Sequence, residues 1–110
     1  MKWEELKKDF RRYCRELNGS VLEKSDGSVA CVFRDGQYET VLEVGPEHVG
    51  VYRNSGEGRY TDIWLTHEGV REAYRSLMGN LCLSVTDERG EELLVCAGKK
   101  NIQVIEEKVR

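Results

Sequence analysis

The stretch "THEGVREAYRSLMGN", residues 66–80, decides how the rest of the chain is arranged. Thr66 is a helix-capping residue type, and Val70, Ala73, Tyr74, Leu77 and Met78 follow at steps of three and four before Gly79-Asn80 supplies a stop. This spacing predicts a second helix. It would separate a β-rich middle from a C-terminal hairpin.

Upstream, the hydrophobic period is two from about residue 20 to residue 65, broken by Ser25-Asp26-Gly27, Asp35-Gly36, Gly45-Pro46-Glu47 and the 54–58 run. Strands are predicted near 20–24, 28–34, 37–44, 48–53 and 59–65. Short connectors make consecutive strands antiparallel neighbours, so this is a meander. Before it, Trp3, Leu6, Phe10, Tyr13 and Leu17 form one helical face that stops at Asn18-Gly19. Downstream, residues 81–86 and 91–97 read as a hairpin. Residues 101–110 carry both periods, and the β-branched Ile102, Val104 and Ile105 favour an extra strand. The predicted class is α+β: an N-terminal helix, a five-stranded antiparallel meander, a second helix and a C-terminal hairpin with that extra strand.

A chain of 110 residues suits a single domain, 1–110, with a real core. With 39% hydrophobic and 34% charged residues it reads as an ordinary globular protein. Few Asn and Gln beside many Glu, Lys and Arg suit a thermophile. No apolar run is long enough to cross a bilayer and no signal-peptide core is present, so the expectation is a cytoplasmic protein without a membrane partner.

Against a net charge of −3, "KKDFRRYCR" (residues 7–15) gathers cations. On a wheel of about 100° per residue, Lys7, Lys8, Arg11, Arg12 and Arg15 fall on one flank, apart from the apolar stripe and from Glu5, Asp9 and Glu16. That flank is a partner-binding candidate for an acidic protein surface and, with less support, for a phosphate backbone. It carries no side chain in a base-reading register. The plain alternative is a solvated face held by pairs such as Glu4 with Lys8 and Arg12 with Glu16.

Cys14, Cys31, Cys82 and Cys96 show no zinc spacing, and free thiols are the expectation in a reducing compartment. With Glu88-Arg89-Gly90 as a three-residue loop, paired positions sum to 178. Cys82 then faces Cys96 on the less buried side, together with Ser84 and Leu94, as a candidate redox pair. With Asp35-Gly36 as a two-residue turn, positions sum to 71. Ala30, Val32 and Val41 then share a face that should be polar, and with Leu94 they suggest a dimer face in a homodimer.

Tyr60, Asp62 and Trp64 alternate along the fifth strand, which would put them on one face beside the second helix as a candidate pocket. His48 and His67 have no defined catalytic neighbour. No nucleophile-elbow, zinc-protease, Walker or dinucleotide motif is present, and Gly56-Glu57-Gly58 is too short and acidic to cradle phosphate. No catalytic, cofactor-binding or metal-ligating residue is predicted. The leading function is a non-enzymatic, homodimeric interaction module. The alternatives are a nucleic-acid-binding accessory protein and a small ligand-binding protein or enzyme with a pocket beside Trp64.

Overall fold

The computed structural model describes residues 2–99 and the backbone of 102–107. Among the described residues one helix, α1 (Lys2–Glu16), precedes eight strands: β1 (Ser20–Glu23), β2 (Val29–Asp35), β3 (Tyr38–Val44), β4 (His48–Ser55), β5 (Gly58–Arg75), β6 (Leu81–Asp87), β7 (Glu92–Ala97) and β8 (Ile102–Glu107). They form one antiparallel meander in chain order. The α+β class with an antiparallel sheet is what the sequence predicts, and β8 supplies the extra strand; positions 101 and 108–110 lie outside the described residues.

Helix α1 buries Leu6, Phe10 and Cys14 at i, i+4 and i+8, with Glu4 and Glu5 in its first turn and Arg15 in its last. It ends at Asn18, which takes a positive φ of 64°, while Gly19 N donates to Cys14 O and Asn18 N to Arg15 O. This is the Schellman stop, with Asn rather than Gly in the left-handed position.

The predicted second helix is absent. Residues 66–75 instead continue β5, and Ser76–Gly79 turn into β6 through bonds from Ser76 N to Asn80 O and from Gly79 N to Ser76 O. Against β6, His67, Val70 and Ala73 oppose Asp87, Val85 and Leu83, so Glu68 and Arg71 are extra residues in two bulges. Each bulge lengthens the inward step from two residues to three. A strand bulged this way imitates helical spacing in sequence.

In the β2–β3 hairpin, Asp35 pairs with Tyr38, so Gly36 and Gln37 form the loop and paired positions sum to 73 rather than 71. Gly36 has φ 64°, and the first loop position is where a type II′ turn needs its glycine. A shift of two leaves every side chain on its expected face. In β6–β7 the sum is 178, as read from the sequence, with Gly90 at φ 81° and Asp87 Oδ1 accepting from Arg89 N and Glu91 N.

The inner residues of β2–β4 (Val29, Cys31, Phe33, Leu42, Val44, Val49, Val51) join those of β6 and β7 (Leu81, Leu83, Val85, Val95, Ala97) and the buried stripe of α1 in one core. With β3 approaching β7, the sheet curls around the helix and β5 serves both halves. The outer face of β2–β4 buries a smaller cluster of Ala30, Val41 and Tyr52, with Val32 against it.

Candidate functional site

The register lines up two rows across the outer face. Leu22, Ala30, Glu43, Gly50 and Trp64 are successive neighbours on β1 to β5, and Ser20, Val32, Val41, Tyr52 and Thr61 form the adjacent row. Two small residues, Ala30 and Gly50, stand on either side of the central Glu43 in the first row. Its ends are the exposed Leu22 (48%) and Trp64 (52%), four strand spacings or roughly 19 Å apart.

At the centre lies Glu43, its side chain 3% exposed. Lys24 Nζ stands 2.6 Å from Oε1, His48 Nε2 is 2.7 Å from Oε2, and the Tyr52 hydroxyl donates to Oε1 at 3.4 Å. Burial pushes the Glu43 carboxyl up, but Lys24 and His48 outweigh it and hold the group below the usual glutamate value. The same bond to Glu43 raises Lys24 against its own desolvation.

Two glycines make this packing fit. The His48 ring lies over Gly45, and a Cβ on Gly50 would stand 2.5 Å from Trp64 Cε3. Trp64 thus covers the bare backbone of its cross-strand partner and stacks on His48, with centroids 4.7 Å apart and planes 15° from parallel. Beside them, Arg59 sits 3.8 Å over the Tyr52 ring. The Glu43 oxygens are engaged and buried, so the network fixes the shape of the outer face and offers no free base to a substrate. The one local sign of this site in the sequence is Gly50 in the interior of a strand, where a missing side chain marks the close approach of a neighbour.

The second row forms the floor of a hollow of about 240 Å³ lined by Leu22, Val32, Val41 and Tyr52, with Arg34 and Glu39 at its rim. Arg34 Nε and Glu39 Oε2 are 2.7 Å apart across the β2–β3 pair. Of the residues expected on a dimer face, Val32 and Val41 line this hollow opposite each other. Ala30 is fully buried between Leu22 and Glu43, and Leu94 stands apart on β7 opposite Ser84.

On the basic flank, Lys7 pairs with Glu4 at 3.1 Å, Arg12 with Asp9 at 3.4 Å and Arg11 with Glu23 at 2.5 Å. Arg12 also donates to the Tyr13 hydroxyl at 2.9 Å. The i,i+3 pairs replace the expected Glu4–Lys8 and Arg12–Glu16 contacts, and Glu16 instead meets Arg75 at 3.1 Å, tying the helix to β5. Lys8 and Arg15 have no ion-pair partner among the described residues.

All four cysteines are paired, which replaces the expectation of free thiols. Cys14–Cys31 joins α1 to β2, and Gly19 lies against both sulfurs, where a side chain would collide. Cys82–Cys96 bridges directly opposed residues with Cα atoms 4.1 Å apart. The two cysteines and Ser84 are themselves buried, while Thr86, Glu92 and Leu94 on the same face are half-buried, so this is the less buried side of the hairpin, as the sequence predicts.

Tyr60, Asp62 and Trp64 do not share a face. Val51 opposes Ile63 and Tyr52 opposes Thr61, so Asp62 is the extra residue of a bulge. The bulge leaves Trp64 outside and turns Tyr60 to the inner side, opposite Arg53, whose Nε is 3.2 Å from Asp62 Oδ2. Among the described residues no His, Cys, Asp and Glu grouping could hold a metal ion, and no helix is long and apolar enough to cross a membrane. No family model, curated protein or solved structure matches the chain.

Proposed function

We propose that the protein is a non-enzymatic interaction module that uses the outer face of β1–β4 to bind a second copy of itself. The observation that carries this reading is the hollow over Val32 and Val41, bounded by the half-exposed Leu22 and by the opposed charges of Arg34 and Glu39. Such a surface is self-complementary: a two-fold axis through it sets the apolar rows together and gives each Arg34 the partner's Glu39 as well as its own. The buried Glu43 network keeps the face rigid, which lowers the cost of association. A dilution series of amide spectra tests it. Concentration-dependent shifts at Leu22, Val32 and Val41 are expected, and a spectrum that does not change with concentration refutes the dimer.

The basic flank supports a nucleic-acid partner less well, because Lys7, Arg11 and Arg12 already sit on carboxylates of the same chain. Lys8 and Arg15 leave room for an acidic protein partner. The proposed compartment remains the cytoplasm. Two disulfides fit there best in a hyperthermophile, whose intracellular proteins tolerate them, and the Glu-, Lys- and Arg-rich composition agrees.

A further inference from the structure

We propose that a hollow at the β2–β3 and β4–β5 hairpin ends, on the inner side of the sheet, binds a neutral sugar ring. Tyr38, Arg53, Ser55, Tyr60 and Asp62 line it, and its volume is about 290 Å³. That is the size of a site for one small ring, near the lower limit of about 300 Å³ for ligand pockets.

Arg53 is opposite Tyr60 on β5 and Thr40 on β3, and Tyr38 is the next inner residue of β3. The two tyrosines therefore stand diagonally on either side of Arg53 from two strands apart, roughly 12 Å between backbones. They are 62% and 65% exposed, although large rings on the inner side of this sheet are otherwise buried. Exposed ring faces on either side of a polar floor are what the C–H faces of a pyranose stack on.

The charge pattern selects the ligand class. Arg53 and Asp62 neutralise each other, so the hollow has no net charge to attract an anion or a cation. Arg53 uses Nε for Asp62 Oδ2, which leaves terminal guanidinium donors, the second carboxylate oxygen and the Ser55 and tyrosine hydroxyls. Alternating donors and acceptors suit vicinal hydroxyls, each of which gives and takes one hydrogen bond. The bulge at Asp62 builds the site, since it gives up regular pairing to place Tyr60 and Asp62 beside Arg53. This inference is independent of the outer-face reading.

The test is a titration of the labelled protein with methyl glucoside, methyl galactoside, N-acetylglucosamine and cellobiose, with sodium phosphate as a charged counter-probe. At least one sugar is expected to give saturable amide shifts at 38, 53, 55, 60 and 62. Tyr60→Ala should weaken binding at least about fivefold. Because both rings are exposed, Tyr38→Ala and Tyr60→Ala should leave the rest of the spectrum unchanged. No saturable response to any sugar overturns the proposal, as do shifts that survive both substitutions or an equal response to phosphate.

Discussion

Removing the Cys14–Cys31 bridge perturbs the attachment of α1 to the sheet most directly. The two cysteines are 17 residues apart, and closing a loop of that length in the unfolded chain is worth about 3 kcal/mol. For 110 residues, an unfolding entropy of about 2.1 cal/mol/K per residue converts this to a fall in Tm of about 13 °C. The double variant Cys14→Ala/Cys31→Ala avoids leaving one thiol or an unsatisfied hydroxyl in the buried position under Gly19. The assay is thermal unfolding by circular dichroism with and without reductant, alongside intact mass after alkylation. Without reductant the wild type should take up no alkylating group and melt about 13 °C above the variant; with reductant that gap should close. Hydrogen exchange in α1 should rise in the variant, because the helix is then held only by packing and by the exposed Arg11–Glu23 and Glu16–Arg75 ion pairs. A fall in Tm below about 3 °C, or four alkylated thiols in unreduced protein, refutes the reasoning.

Glu43→Gln should destabilise the fold by about 3 kcal/mol, the low end for a broken buried pair, because the partly exposed Lys24 can turn to water; denaturant unfolding measures it. The folded Glu43 carboxyl lies below its unfolded value of 4.5, so its contribution is complete above that pH and disappears as pH falls through the folded value. The variant should therefore lose less stability than the wild type on acidification below pH 4.5, and equal acid limbs would contradict the network. Gly50→Ala should force the Trp64 indole off His48 at a cost of about 1–3 kcal/mol, with a red-shifted tryptophan emission as the readout.

Much of this fold is legible in the residues themselves. The α1 face, its stop at Asn18, the first four strands and the β6–β7 register follow from period, turn chemistry and pairing arithmetic. The failure at 66–78 has a definite cause: two bulges spaced His67, Val70 and Ala73 three residues apart, and Leu77 and Met78 completed a helical pattern although they are exposed at a hairpin tip. A third bulge separated Trp64 from Tyr60. Bulges arise from long-range pairing, so no local window shows them. The Glu43 site was hidden for a related reason: Glu43, His48 and Trp64 lie on three different strands and Lys24 lies in the turn after β1, so only cross-strand register brings them together. The unexpected disulfide between Cys14 and Cys31 depends in the same way on how α1 docks.

The outer face as a self-association surface is tested most directly by light scattering on the wild type and on Val32→Glu, a half-buried position that lines the hollow without touching the inner core. The wild type should show twice the 12.7 kDa chain mass at high concentration, and Val32→Glu should return it to one chain with unchanged circular dichroism. A wild type that stays at one chain mass, or a Val32→Glu variant that is still a dimer, contradicts the proposed function.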